Sequence, residues 1–217
     1  MADDASRTGQ RYATREILAW VDRLHAGHDE GLQRAFDAPA IHGLPPIQVG
    51  MSEGKLLSLL LRLVAAKRVV EFGTLAGYSA LRMAQALPED GHLWSLELDP
   101  CHADVARENL RVAGFGQRVT VITGPALDAL PGLEAQGPYD AVFLDADKGR
   151  YDLYGAWAAA HLRPGGLLLV DNAYYFGDLL DDSPDAAAVR RCHEAAASVF
   201  DTVCIPTPDG LLLGLRR

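Results

Sequence analysis

At 217 residues with 49% hydrophobic content, the chain is long enough to bury one substantial core, so a single domain over 1–217 is the expected organisation. Its formal charge of −9 is spread without a Lys/Arg block, which argues against a nucleic-acid groove or an anionic membrane surface and leaves a small molecule as the expected partner. No apolar run approaches membrane-span length, the start Met1-Ala2-Asp3-Asp4 is acidic rather than a basic leader, and Cys101, Cys192 and Cys204 form no CxxC pair, so a cytoplasmic protein is expected.

Residues 10–66 carry helical periodicity, broken by His42-Gly43-Leu44-Pro45-Pro46, with a helix over 53–65 leading into the first strand. From Arg68 onward, apolar runs of strand length at 68–72, 92–97, 119–123, 140–145 and 166–170 alternate with helical segments at 79–87, 103–113, 151–161 and 186–198. Arg163-Pro164-Gly165-Gly166 has the chemistry to stop the third of these helices and turn the chain. The alternation predicts βαβ units and a Rossmann-like parallel sheet with helices on both faces. At the tail, runs at 201–206 and 211–215 are joined only by Thr207-Pro208-Asp209-Gly210. That link is too short for a crossover and right for a hairpin, so the last strand should run antiparallel to the rest.

The first strand-to-helix turn reads Val69-Val70-Glu71-Phe72-Gly73-Thr74-Leu75-Ala76-Gly77-Tyr78-Ser79. Its glycines let backbone approach a ligand, and the helix start behind them offers free N–H groups. Gly73 and Gly77 lack the G-x-G-x-x-G spacing of dinucleotide enzymes, which argues against an NAD-type dehydrogenase. Acidic Glu71 before the turn would repel a pyrophosphate and welcome a cation. Glu97 follows Gly77 by roughly the twenty residues expected of a carboxylate that accepts both ribose hydroxyls. An adenosine that carries positive charge is S-adenosylmethionine. Either acid alone reads as a solvated strand end; the ordered pair around a glycine turn does not.

Two later strand ends finish in Leu144-Asp145-Ala146-Asp147-Lys148 and Val170-Asp171-Asn172. Neighbouring parallel strands set their carboxyl ends side by side, so Asp145, Asp171 and Asn172 can converge as oxygen ligands for a hard cation such as Mg²⁺, Mn²⁺ or Ca²⁺. Singly these residues read as turn caps; jointly, beside the glycine turn, they read as a site. Other candidates carry less. His25 and His28 lack a third ligand and suit an exposed helix surface, the remaining histidines stand apart, and no G-x-S-x-G elbow is present. Asp178, Asp181, Asp182 and Asp185 lack EF-hand spacing and read as a solvated loop bordering the pocket.

From about Gln48 to the C-terminus, Glu71-Phe72-Gly73-Thr74, Gly77-Tyr78-Ser79, Gly124-Pro125-Ala126, Asp145-Ala146-Asp147-Lys148, Gly165-Gly166 and Asp171-Asn172 fall in the order and spacing of one enzyme group. The chain resembles the metal-dependent catechol and caffeoyl-CoA type O-methyltransferases, as a bacterial-type member. That resemblance implies a class I methyltransferase fold: a seven-stranded, mostly parallel sheet with an antiparallel C-terminal hairpin strand, with 1–47 an N-terminal helical extension and 48–217 the cofactor- and metal-binding core. It also implies a homodimer. By the same resemblance the methyl donor meets Val49, Glu71, Gly73, Thr74 and Ser79 around its methionine end and Glu97 at the ribose, with Ala126, Asp145, Asp147 and Tyr154 completing the contacts. The metal falls to Asp145, Asp171 and Asn172, and Lys148 takes the place of the catalytic lysine beside Asp145. The implied reaction is methylation of one hydroxyl of a vicinal diphenol; a metal-independent methyltransferase of another small molecule is the alternative. After Asp171-Asn172 the chain departs from the family pattern with Ala173-Tyr174-Tyr175-Phe176-Gly177. Lys148, Asn172, Tyr175 and Phe176 are therefore the expected acceptor contacts, with at least one of the three aromatics forming a wall for a stacked ring.

Overall fold

The computed structural model describes Asp4, Gly9 and residues 12–217, so Met1-Ala2-Asp3 and the first two residues of the 10–66 helical stretch lie outside the described residues. Seven strands form one sheet: β1 (Arg68–Phe72), β2 (His92–Glu97), β3 (Val119–Thr123), β4 (Tyr139–Leu144), β5 (Leu162–Val170), β6 (Phe200–Ile205) and β7 (Leu211–Arg216). Their order is β3-β2-β1-β4-β5-β7-β6, parallel from β3 to β5, with β7 antiparallel to both β5 and β6. Chain order reverses between β1 and β4, and the crevice outside the carboxyl ends at such a switch point is where α/β sheets hold ligands.

Register fixes what meets there. Phe72 pairs with both Leu96 and Leu144, and Leu144 pairs with Val170. The residues that follow, Gly73, Asp145 and Asp171, therefore emerge at one level. Their amides continue the ladder, bonding Leu96 O (2.9 Å), Phe72 O (2.8 Å) and Leu144 O (2.9 Å).

Eight helices flank the sheet among the described residues: α1 (Arg15–His25), α2 (Glu30–His42), α3 (Met51–Leu63), α4 (Tyr78–Ala84), α5 (Pro100–Val112), α6 (Ala126–Glu134), α7 (Tyr151–His161) and α8 (Pro184–Val199). Successive strand residues point to opposite faces, and each face builds its own core. Val69, Phe143 and Leu169 pack with Leu57, Leu81 and Leu110 from α3, α4 and α5, whereas Val70, Phe72, Val142 and Val170 pack with Leu130, Tyr154 and Val189 from α6, α7 and α8. Helix α1 contributes no buried residue.

One sequence expectation is corrected. Arg163-Pro164-Gly165-Gly166 ends α7 but lies inside β5, which begins at Leu162 rather than at 166. The pairing jumps from Tyr139↔Leu162 to Ala141↔Leu167, and Gly165, at φ +72°, absorbs the extra residues as a bulge. Helix α6 falls in a stretch for which the sequence reading names no helix, and it carries Pro131 within it. No helix among the described residues is long and apolar enough to cross a membrane.

Candidate active site

The glycine turn and the Asp145 turn touch. Gly73 sits at φ +92°, and a Cβ built on it would lie 2.1 Å from the Asp145 carbonyl oxygen, so only glycine lets the two turns close on each other. Gly77, at φ +84°, opens α4 with a built Cβ 3.3 Å from Ala106 of α5. Between the two turns lies a cleft of about 530 Å³. Glu97 is tied into its wall: one carboxylate oxygen accepts the Thr74 and Leu75 amides at 3.1 and 2.8 Å, and the other accepts the Asp99 amide at 3.0 Å, with His102 Nδ1 at 3.6 Å.

Glu71 lies fully buried behind that wall. Ser79 Oγ donates to it at 2.5 Å, and the Ser95 hydroxyl, itself joined to Thr74 Oγ1, donates to the other oxygen. Burial pushes its carboxyl up to about 8; the two hydroxyls pull the other way, and the charges of Asp145 and Glu97 add to the rise. Among the described residues no cation is paired with Glu71, so a positively charged ligand in the cleft would favour its ionised form.

The acid pair is as crowded. Asp145 accepts Lys148 Nζ at 3.0 Å, and that nitrogen also donates to Tyr151 Oη at 2.6 Å, whose hydroxyl lies 3.3 Å from Leu144 O. Burial raises the Asp145 carboxyl, with Lys148 opposing, while burial and then the charge of Asp145 push Asp171 up to about 7. Two half-buried carboxylates thus lie in the field of one ammonium, which bonds only Asp145, and oxygen donors short of positive charge suit a hard divalent cation. Asn172, held at φ +51°, lines the cleft beside Asp145. Among the described residues no group of three or more His, Cys, Asp or Glu side chains is arranged for a metal.

Twelve of the sequence-predicted positions line the cleft: Val49, Gly73, Thr74, Ser79, Glu97, Ala126, Asp145, Asp147, Lys148, Tyr154, Asn172 and Phe176. Tyr154 Oη donates to Asp147 at 2.6 Å; burial, followed by that bond, holds the phenol well above its ordinary value. Arg150 Nε closes on the other Asp147 oxygen at 3.1 Å. Three positions fall elsewhere. Glu71 stands behind Ser79, Asp171 faces a small hollow beside Val49, Glu53 and Thr207, and Tyr175 packs against the α6–α8 core. Of the aromatic run, only Phe176 reaches the cleft.

Sequence reasoning missed Ile47, Tyr78, Leu98 and His102, all of which line the cleft. His102 carried a signal, since it falls in the first turn of α5 behind the Asp99 cap and so points back toward Glu97. Tyr78 carried none: its hydroxyl accepts Arg82 Nε at 3.1 Å one turn along the helix and meets His28 from fifty residues away, and neither spacing points to a cleft. His28, expected on an exposed helix surface with His25, instead lies beyond the end of α1 with Nε2 2.9 Å from Tyr78 Oη.

The strand order, the acid-flanked glycine turn and the carboxylate at the end of β2 define a class I methyltransferase fold. The sequence profile described as O-methyltransferase matches residues 26–217. The chain is 43% identical over 210 residues to the catechol O-methyltransferase of Niastella koreensis, covering 91% of this chain and 95% of the relative. It is also 43% identical over 211 residues to that of Mycobacterium tuberculosis, covering 93% and 96%. The crystal structure of the O-methyltransferase TomG from Streptomyces achromogenes, in complex with SAM, superposes with a TM-score of 0.87 at 33% identity and 99% coverage of both chains. The chain belongs to the O-methyltransferase family, and it is an enzyme of that class.

Proposed function

We propose that this enzyme transfers the methyl group of S-adenosylmethionine to one hydroxyl of a small vicinal diphenol, with Mg²⁺, Mn²⁺ or Ca²⁺ held by Asp145, Asp171 and Asn172. The observation that carries this reading is the double role of Asp145: its backbone abuts Gly73 in the donor cleft while its carboxylate holds Lys148 Nζ at 3.0 Å. Donor and acceptor sites built on one residue hold the reacting atoms within reach, and proximity is the main gain in a direct displacement. The relative solved with SAM and the relatives named for catechol support the same donor and acceptor class.

A phenol with a pKa of about 10 is only about a thousandth ionised at neutral pH. The divalent cation, when bound, supplies positive charge that favours the phenolate, and the donor supplies an electrophilic methyl on sulfonium. The chain's own residues do the rest. Next to the cation's charge Lys148 gives up a proton to solvent, then accepts the acceptor's hydroxyl proton, and the restored ammonium keeps Asp145 and Tyr151 as partners at 3.0 and 2.6 Å. The phenolate oxygen then bonds the methyl carbon as the carbon–sulfur bond breaks, leaving a neutral thioether. Glu71, with Ser79 and Ser95, places negative charge near the donor's cationic end, Glu97 receives the ribose hydroxyls, and Tyr154 fixes Asp147 at the cleft wall. Lys148, Asn172 and Phe176 border the acceptor.

The assay is turnover of catechols, flavonoids and caffeoyl esters with S-adenosylmethionine, with and without Mg²⁺. Wild-type activity should require the cation, and Asp171→Ala should abolish it while donor binding persists. Turnover that survives chelation, or survives in Asp171→Ala, rejects the metal-assisted mechanism in favour of a metal-independent methyltransferase. We infer a cytoplasmic homodimer as well, supported by the exposed Ile17, Trp20 and Leu24 on one side of α1; sedimentation of the full chain as a monomer rejects the dimer.

A further inference from the structure

We propose that Asp209, in the loop between β6 and β7, is a positioning residue that sets acceptor specificity by holding Phe176 at the mouth of the cleft. The proposal rests on the acceptor reading above for what Phe176 touches, and on the structure for how Phe176 is held. The segment after Asn172 is unusual. Asn172, Tyr175 and Phe176 all adopt the left-handed region, at φ +51°, +49° and +55°, where side chains other than glycine are strained. Such a conformation persists only where its surroundings impose it.

The hairpin tip imposes it. Asp209 Oδ1 accepts the Phe176 amide at 2.9 Å, the Asp209 carbonyl accepts the Tyr174 amide at 2.9 Å, and the Gly210 carbonyl accepts the Ala173 amide at 3.0 Å. Gly210, at φ +75°, lies flat against the Tyr174 ring, where an added Cβ would come within 2.8 Å. From the other side, His193 of α8 bonds the Ala173 carbonyl at 2.8 Å. Of these contacts only the Asp209 carboxylate reaches as far as Phe176. The phenyl it positions is 66% exposed yet lines the cleft, as a side chain awaiting a planar partner would. Asp209 itself does not line the cleft, so it acts through Phe176 rather than on the acceptor.

The test compares Asp209→Ala with Asp209→Asn, which keeps a carbonyl oxygen for the amide, and with Gly210→Ala, which attacks the clamp at Tyr174. Amide hydrogen exchange on the donor-free protein comes first, because it needs no acceptor. Exchange over 173–177 should accelerate by about tenfold in Asp209→Ala and Gly210→Ala, stay near wild type in Asp209→Asn, and remain unchanged over 73–79. Unchanged exchange over 173–177 in Asp209→Ala overturns the proposal. With 3,4-dihydroxybenzoate as acceptor, Asp209→Ala should raise the acceptor KM by about fivefold and shift the ratio of 3-O- to 4-O-methyl product, with kcat changed less than about twofold. Binding of S-adenosylhomocysteine should be unaltered. An unshifted product ratio and KM also overturn it. If wild type methylates no diphenol, the acceptor reading fails, and the exchange result still decides whether Asp209 holds the loop.

Discussion

Lys148 is the residue on which the proposed chemistry turns. Its ammonium is held between Asp145 and the Tyr151 hydroxyl, and its side chain is only 13% exposed, so a change there alters proton transfer more than binding. Lys148→Met should lower kcat by about a hundredfold or more while the donor affinity holds, measured by single-turnover kinetics; an unchanged rate removes the lysine from the mechanism. Glu71 makes a different prediction, on stability. Its folded carboxyl stands at about 8, above its ordinary 4.5. A group raised in this way contributes stability that is fully present below its unfolded value and lost as pH rises through the folded one. The donor-free protein should therefore lose thermal stability between about pH 5 and pH 8, and Glu71→Gln should lose less over the same range. Melting curves across that range decide the point; parallel losses in the two proteins reject it.

At the scale of elements, the glycine turn is braced from behind. Asn109 of α5 donates to the Ala76 carbonyl at 2.9 Å and accepts from Arg34 of α2 at 3.1 Å, so one buried amide links two helices to the turn. Asn109→Ala strands the buried Ala76 carbonyl and should cost about 1–3 kcal/mol in urea unfolding, with a weaker donor affinity alongside. Much of this level was legible in the sequence. The strands β1, β2 and β3 fall where apolar runs place them, and the hairpin follows from the shortness of Thr207-Pro208-Asp209-Gly210. The failure has a cause. Gly165-Gly166 hides the start of β5, because local breaker chemistry was overridden by neighbours in the sheet.

For the whole molecule, the parallel register turned three sequence-distant strand ends into one floor, which explains why Glu71, Glu97, Asp145 and Asp171 were readable from strand-end motifs, whereas Val49, Ala126 and Tyr154 came only through the family resemblance. Orientation was not readable. Tyr175 reads like Phe176 but packs into the core, Asp171 faces the neighbouring hollow, and the contact of His28 with Tyr78 spans fifty residues of sequence, beyond any local pattern. The acid floor also bears on the stability of the entire fold. A ligand that binds only the folded state stabilises it by mass action, so saturating Mg²⁺ should raise the melting temperature by about 2–4 °C and chelator should reverse the gain. No shift with any divalent cation argues against the proposed ligand set.

The contact of Gly73 with the Asp145 carbonyl has a consequence for engineering. With two turns locked backbone to backbone, the donor half of the enzyme is a chassis in which substitutions at 71–79 and 145–148 propagate into each other. The Ala173–Gly177 segment hangs from the hairpin instead, on contacts that leave that chassis untouched. A combinatorial library that varies 174–176 together with 209, and nothing in the locked turns, should yield variants with new acceptor ranges on an unchanged donor site.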